Sequence, residues 1–311
     1  MKILDKGIWK PNESSCPKKN SAFLESIEKA EVDRYHLYVS YACPWAHRAI
    51  IYRELKGLQN YISMSILDPR WGTENGWYFK SSCNQASTKE TTKDHVLGAD
   101  FLWQVYAQAH PEYIGKVTVP VLFDKKESKI MSNESSNIIR ILDTFFPSEA
   151  STLYPTDFRE DIDNLNSFVQ NGISAKVYQA GFAKYQKDYE RYSTELFKAL
   201  GEVDELLSGR EFLLTDRILE SDIHLFCALV RFDLVYTSAL RLNHRCLEDF
   251  KNLKSFVVRI LKIPQILKTF KPFHIKSHYF DYIEDINPRI IPIGPNPKYL
   301  NLNQEENDEA S

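Results

Sequence analysis

Cys43 is the residue of this chain whose surroundings point most directly to covalent chemistry. Residues 34–40 alternate apolar and polar side chains, which predicts a strand in front of it. Residues 46–56 predict a helix that ends at Gly57, and Pro44 takes the first helical position, where proline is best tolerated. A sulfur at a helix N-terminus lies beside unpaired N–H groups, which favour the thiolate and can lower a cysteine pKa by about one to several units. The pattern therefore predicts that Cys43 is a nucleophile.

The third position after Cys43 decides which thiol chemistry is open to it. A dithiol oxidoreductase carries a second cysteine there, whereas this chain has Ala46. A mixed disulfide formed on Cys43 must therefore be opened by an external thiol. The alternative is a small buried cysteine that happens to precede a helix. The adjacent proline and the strand-to-helix frame favour the reactive cysteine.

Length and composition limit the classes of protein to consider. The 311 residues suffice for one large or two medium domains. A net charge of −3 gives no electrostatic case for nucleic acid or an anionic membrane. No apolar run approaches the roughly 18 residues of a spanning helix, and the N-terminus lacks a secretory signal, so we expect a cytoplasmic protein, with mitochondria still open. Five cysteines without short-spaced pairs indicate a reducing compartment and predict no metal site.

The first half of the chain has the pattern of an α/β domain. Residues 1–30 are expected to form a polar N-terminal arm and residues 31–147 the domain itself. The strand predicted over 61–67 should run parallel to the first, because a helix connects the two. Residues 68–97 are irregular and contain Trp71 and Trp77, and loops of this length inside a domain are usually functional or disordered.

Two features after this loop suggest a ligand site. Pro120 interrupts the strand over 116–124, which predicts a cis bond to Val119 that turns the Val119 N–H towards a ligand. Asn133 is expected to cap a helix over 134–146, with Glu134 and Ser135 in its first turn. Such a helix start can hold a carboxylate, and Glu134 can hold an ammonium group. The ordinary alternative is that Asn-Glu-Ser is only a helix cap.

The second half of the chain has helical spacing throughout. After a linker over 147–155, residues 156–272 predict an all-α bundle of about five or six helices. Residues 273–300 are expected to pack back on the body, and residues 301–311 to form a disordered tail. The apolar stripes that support the bundle contain Ile162, Leu165, Phe168 and Val169, then Leu196, Leu200, Val203, Leu206 and Leu207, then Ile223, Phe226, Leu229 and Val230.

The order of these elements resembles the glutathione transferases: an α/β thioredoxin-like N-terminal domain followed by an all-α helical bundle. Within that family the chain resembles the glutathionyl-hydroquinone reductases of the Xi class, which includes fungal omega-like transferases. The matching motifs are Arg34-Tyr35-His36-Leu37-Tyr38, Cys43-Pro44-Trp45-Ala46-His47-Arg48, Asn75-Gly76-Trp77-Tyr78-Phe79, Val117-Thr118-Val119-Pro120-Val121-Leu122, Asn133-Glu134-Ser135, Tyr178-Gln179-Ala180-Gly181-Phe182-Ala183, His278-Tyr279-Phe280 and Ile286-Asn287-Pro288.

The resemblance implies a glutathione site in the first domain. Cys43 would attack the sulfur of a glutathionyl adduct, and Val119 would pair main chain to main chain with the cysteinyl unit of glutathione. Glu134 and Ser135 would hold the γ-glutamyl ammonium and carboxylate groups, while Trp77 would close over the peptide. A separate implied contact is that of Lys116 with the glycine carboxylate. The family more often has arginine there, so weaker glutathione binding is expected.

The resemblance also implies an acceptor site in the second domain. Tyr178 and Tyr279 would hydrogen-bond the quinol oxygens of an aromatic substrate. Core packing with a satisfied hydroxyl is the alternative for both tyrosines. One departure from the family is Leu219, which stands where transferases place a Ser or Thr helix cap. The absence of a Ser or Thr cap is expected to cost about 1 kcal/mol of local helix stability.

The function implied by the resemblance is glutathione-dependent reduction of S-glutathionyl-hydroquinones through a Cys43–glutathione disulfide. Glutathione would be a co-substrate, with no metal, no nucleic acid and no membrane, and the protein would be a homodimer. A first alternative is an omega-type transferase that reduces dehydroascorbate and small disulfides. A second is a non-catalytic scaffold, which would have little reason to keep Cys43 followed by proline.

Overall fold

The chain divides into two compact units, Met1–Ala150 and Ser151–Ser311. The computed structural model describes residues 2–11, 23–25, 27, 29–70, 74–80, 88–281 and 289–300. Three features predicted from the sequence lie outside these residues: Trp71, the motif at 286–288 and the tail at 301–311. Among the described residues, no helix combines the length and the apolar character needed to cross a bilayer.

The first unit combines strands and helices. Its strands are β1 (Lys2–Asp5), β2 (Ile8–Pro11), β3 (Tyr35–Val39), β4 (Ile62–Ile66), β5 (Ile114–Gly115), β6 (Val121–Asp124) and β7 (Lys129–Ser132). Its helices are α1 (Pro44–Leu55), α2 (Leu102–Ala109) and α3 (Ser135–Thr144). The strands order β4-β3-β6-β7 in the main sheet, where β3 and β4 run parallel as predicted and the other pairs are antiparallel. With α1 and α3 packed on each other, this is the thioredoxin-like arrangement.

Strand β3 is buried on both faces, although one of its faces is polar. His36 lies in that polar face, where its ring nitrogens are 2.8 and 2.9 Å from the hydroxyls of Ser63 and Ser65 on β4. Burial, followed by the charge of Lys125, lowers the pKa of His36 to about 3. The ring is therefore neutral at pH 7, and both of its nitrogens have partners, as a buried polar side chain requires.

Residues 2–11 form a β-hairpin rather than a featureless polar arm. Strands β1 and β2 pair antiparallel from Lys2 opposite Pro11 to Asp5 opposite Ile8. The connecting residues Lys6 and Gly7 both have positive φ values, 49° and 81°, as the favoured two-residue hairpin turn requires. Strand β1 also pairs with β5, which makes a second sheet of order β2-β1-β5.

The second unit is helical, as the apolar spacing predicts. Its helices are α4 (Arg159–Phe168), α5 (Ala175–Gly181), α6 (Gln186–Leu206), α7 (Glu220–Leu229), α8 (Thr237–Ala239), α9 (Lys251–Leu261), α10 (Pro264–Leu267) and α11 (Pro272–Asp281). All residues of α7 are buried, so this helix forms the centre of the unit. Two π-helical segments, Val169–Ser174 and Phe232–Tyr236, precede α5 and α8. Inserted π turns re-aim the side chains that follow them and occur frequently at functional sites.

Leu219 makes no side-chain cap hydrogen bond at the start of α7, as expected. The backbone N–H of Leu219 donates to Oδ2 of Asp222 at 2.8 Å, and the N–H of Glu220 donates to the carbonyl of Leu153. The leucine side chain is fully buried. That burial is worth about 1.5–3 kcal/mol, which exceeds the roughly 1 kcal/mol of a serine or threonine cap.

Asp222 is therefore expected to stabilise the second unit. Its second oxygen accepts the N–H of Leu213 at 2.9 Å, so replacement by alanine leaves two buried N–H groups without an acceptor. We expect Asp222→Ala to lower the free energy of unfolding by about 2–4 kcal/mol in urea titrations. The exposed Asp216 of the same loop supplies the control, and Asp216→Ala should change the value by under about 0.5 kcal/mol. Equal stability of the two variants would contradict this account.

Candidate active site

Cys43 occupies the predicted position at the junction of β3 and α1. It is the residue immediately before the helix, with φ −77° and ψ 122°, and Pro44 begins the helix. Its carbonyl accepts the N–H of His47 at 2.9 Å, which is the first bond of the helical ladder. At the other end Gly57 has φ +67°, which a residue with a Cβ adopts only with strain. The Cys43 side chain is 8% exposed, so it lies at the surface of the core rather than within it.

The backbone at Val119 lies beside the Cys43 sulfur. The Val119–Pro120 bond is cis, as predicted, and Cys43 Sγ is 3.7 Å from the carbonyl oxygen of Val119. The hydroxyl of Tyr106 on α2 donates to the carbonyl of Thr118 at 2.9 Å and accepts the Thr118 N–H at 3.4 Å. This buried tyrosine therefore fixes the backbone that leads into the cis bond.

Glu134 and Ser135 lie at the start of α3, but one expected contact there is wrong. Asn133 does not cap the helix, because its Oδ1 accepts the N–H of Phe23 at 3.1 Å and its Nδ2 faces the hydroxyl of Tyr106 at 3.5 Å. Glu134 is the residue before the helix, with no side-chain cap, and Ser135 is its first residue. The helix also ends at Thr144, two residues before the predicted end, and Phe145 is exposed.

The start of α3 combines two groups suited to a zwitterionic ligand. The N–H groups of its first turn favour an anion, while the Glu134 carboxylate favours a cation. The Glu134 side chain is exposed, yet partial desolvation by the protein raises its pKa above the ordinary 4.5. The two groups are adjacent in the chain, so the site can bind an amino acid head group through both of its charges.

Arg48 connects the two helix starts. It lies on α1, is 3% exposed, and brings Nη1 to 3.5 Å from the hydroxyl of Ser135 on α3. This contact links α1 to the first residue of α3, and the two helices pack on each other. The sequence motif contains Arg48, but its contact with α3 could not be predicted, because the packing of α1 on α3 decides it.

Trp77 and Lys116 both belong to the first unit. Trp77 is 7% exposed, and its carbonyl accepts the N–H of Leu102 at 2.9 Å where α2 begins. Lys116 directly follows β5, and its carbonyl accepts the hydroxyl of Tyr113 at 2.7 Å. The structure thus fixes the backbone at both residues.

Tyr178 and Tyr279 meet within the second unit. Tyr178 on α5 and Tyr279 on α11 bring their hydroxyl oxygens to 2.5 Å from each other. The Tyr279 hydroxyl also donates to Tyr236 at 3.4 Å, so three tyrosines form one cluster. Burial raises the pKa of Tyr279 well above 10.0, so its hydroxyl keeps its proton at neutral pH. Tyr236 was not predicted, because it lies in a π-helical segment that no apolar spacing reveals.

The chain is similar to known proteins over most of its length. Models of the glutathione S-transferase N-terminal and C-terminal domains match residues 42–144 and 186–257. The chain is 39% identical to the glutathionyl-hydroquinone reductase PcpF of Sphingobium chlorophenolicum, over 95% of this chain and 96% of that protein.

Solved structures of glutathione transferases are also similar to this chain. A Xi class glutathione transferase from Natrialba magadii superposes with a TM-score of 0.91 at 36% identity, covering 96% of this chain and 95% of that one. The glutathione-bound structure of YqjG, a glutathione transferase homologue from Escherichia coli K-12, superposes with a TM-score of 0.87 at 38% identity, covering 96% and 97%.

Proposed function

Because the chain belongs to the Xi class of the glutathione transferase family, we propose that it reduces S-glutathionyl-hydroquinones with glutathione. The observation that carries the proposal is the position of Cys43. This residue directly precedes α1, its Sγ lies 3.7 Å from the carbonyl oxygen of Val119, and position 46 holds alanine instead of a second cysteine. A helix N-terminus favours the thiolate, and a lone thiolate exchanges with an external thiol. Glutathione is the co-substrate of this proposal, which needs no metal. We further propose a cytoplasmic homodimer.

In the first step the Cys43 thiolate attacks the glutathionyl sulfur of the substrate. A sulfur–sulfur bond forms, and the bond between sulfur and the aromatic carbon breaks with its electron pair left on that carbon. The carbon takes up a proton, hydroquinone leaves, and glutathione stays on Cys43 as a mixed disulfide. The role proposed for Tyr178 and Tyr279 is to donate hydrogen bonds to the quinol oxygens, which helps the carbon accept this proton.

In the second step the thiolate of a free glutathione attacks the mixed disulfide. Oxidised glutathione leaves, and Cys43 returns as a thiolate. The aromatic carbon gains two electrons in the full cycle, and the two glutathione sulfurs lose them. Ala46 makes this route necessary, because no neighbouring cysteine can open the disulfide.

A kinetic comparison of three substrates tests the proposal. We expect kcat/KM to be highest for a glutathionyl-hydroquinone, lower for dehydroascorbate, and lowest for conjugation of a chlorodinitrobenzene-type electrophile. Conjugation is disfavoured because a cysteine at this position forms a disulfide with glutathione instead of activating the glutathione thiol. A preference for dehydroascorbate would favour the omega-type alternative and contradict the proposal.

Glu134→Gln is expected to weaken glutathione binding about tenfold at pH 7, because a charge-assisted hydrogen bond to the ammonium group is lost. The pKa of Glu134 is raised in the free protein, and a bound ammonium group would lower it. Binding then releases a proton between these two values, so the affinity for glutathione falls as the pH is lowered through that window and levels off below it.

Equilibrium titration with glutathione from pH 7 down to about pH 4, below the ordinary pKa of glutamate, measures both effects. The wild type should lose affinity on acidification more steeply than Glu134→Gln. Glu149 is an exposed glutamate of the same unit, and Glu149→Gln changes the charge by the same amount. This control variant should behave like the wild type. If the affinity for glutathione has the same pH dependence in the wild type and in Glu134→Gln, Glu134 does not bind the ammonium group.

A further inference from the structure

We propose that Lys2 and Trp9 of the N-terminal hairpin are positioning residues, which hold Trp77 in place to cover bound glutathione. The inference rests on the proposed function, because it assigns the hairpin a role in the same glutathione site. Strands β1 and β2 do not contain any residue proposed to touch glutathione. Their contacts nevertheless converge on the two segments that carry Trp77 and Lys116.

The most direct contact is made by two donors to one acceptor. Lys2 Nζ lies 2.7 Å and Trp9 Nε1 lies 2.8 Å from the carbonyl oxygen of Glu74. Glu74 precedes Trp77 by three residues. A carbonyl oxygen has two lone pairs, and these two bonds use both. The hairpin therefore anchors the backbone on the N-terminal side of Trp77.

A stack of aromatic rings adds a second contact. The indole of Trp9 lies 6.5 Å from that of Trp103 at an interplanar angle of 8°, and Trp103 lies 6.3 Å from Phe101 at 9°. Phe101 and Trp103 flank Leu102, whose N–H donates to the carbonyl of Trp77. The hairpin thus also anchors the start of α2, which binds the backbone of Trp77 itself.

The opposite edge of the hairpin reaches the segment of Lys116. Leu4 of β1 pairs with Gly115 of β5, the residue before Lys116, and its side chain is fully buried. The Lys6 N–H donates to the carbonyl of Tyr113 at 3.0 Å. The two segments that carry Trp77 and Lys116, both proposed to contact glutathione, are therefore held by one hairpin. Removing side-chain contacts at only one edge should affect Trp77 while leaving β5 paired.

The variants Lys2→Met and Trp9→Phe remove these two donors and keep apolar packing, since phenylalanine retains a ring to stack on Trp103. We expect the double variant to raise the KM for glutathione by about three- to tenfold, with kcat changed less than about twofold. Amide hydrogen exchange at Phe79 and Leu102, measured without glutathione, should become faster. Lys6→Met and Lys10→Met are matched controls, because these lysines of the same hairpin pair with Glu112 and Asp5 instead.

A Trp77→Ala background separates positioning from general destabilisation. If the hairpin acts through Trp77, adding Lys2→Met and Trp9→Phe to Trp77→Ala should change the glutathione KM by less than about twofold. An equal rise in KM with and without Trp77, or an unchanged KM despite faster exchange, would overturn the positioning role. Failure of the wild type to bind glutathione would instead refute the proposed function.

Discussion

Replacing Cys43 by alanine is expected to lower kcat/KM for a glutathionyl-hydroquinone by about three orders of magnitude or more, because the group that forms the mixed disulfide is lost. The loss should appear in kcat, since the groups proposed to bind glutathione remain. Steady-state assays of hydroquinone release measure it. Equilibrium titration should show that the variant still binds glutathione.

Cys246 provides the matched control for this substitution. Its thiol is exposed, and desolvation followed by the charges of Asp233, Asp249 and Glu248 raises its pKa. A raised pKa disfavours the thiolate, so Cys246→Ala should retain activity within about twofold. Activity of Cys43→Ala comparable to that of this control would eliminate the proposed mechanism.

Tyr178→Phe and Tyr279→Phe are expected to have the second-largest effect. Each removes one hydroxyl from the tyrosine cluster, and each should slow the hydroquinone reaction by about a hundredfold if the hydroxyls assist proton delivery. Reduction of a small glutathione mixed disulfide needs only the thiol exchange at Cys43 and should change less than about threefold. The ratio of the two activities is therefore the quantity to measure.

Tyr185→Phe is the control, because Tyr185 is 68% exposed. The tyrosine variants also need urea titrations, since Tyr178 and Tyr279 satisfy each other's hydroxyls at 2.5 Å. A hundredfold loss of rate in both reactions would indicate damage to the fold. Unchanged rates in both reactions would indicate that the two tyrosine hydroxyls serve only in core packing. Either result would contradict the acceptor role of the pair.

The sequence predicted the Cys43 region well because its signals are local. Pro44 and Gly57 mark the two ends of α1 by backbone conformation alone, and Pro120 predicts the cis bond for the same reason. The parallel pairing of β3 and β4 follows from the helix that connects them. Each of these features depends on residues close to one another in the chain.

Non-local contacts explain most of what the sequence did not predict. Asn133 has the residue type of a cap, but the N–H of Phe23, distant in sequence, takes its oxygen. The hairpin of β1 and β2 was missed because its strands are short and Lys6-Gly7 is not a strong turn signal. Leu219 departs from the capping pattern, and its burial within the second unit offsets the loss.

The tyrosine cluster shows a different limit. Resemblance to the family singled out Tyr178 and Tyr279, whereas Tyr236 was found only in the structure. It lies in the π-helical segment Phe232–Tyr236, where one extra residue per turn shifts the face that each side chain occupies. Spacing rules built on a regular helix therefore assign such residues to the wrong face or to no face.

The central claim is that Cys43 carries glutathione during turnover, and a single-turnover experiment tests it most directly. The protein is mixed with one equivalent of a glutathionyl-hydroquinone without free glutathione, quenched with acid, and analysed by mass spectrometry of its peptides. We expect hydroquinone to be released together with the formation of one glutathionyl adduct on the peptide that contains Cys43, and we expect added glutathione to remove that adduct. Release of hydroquinone with Cys43 unmodified throughout the reaction would contradict it.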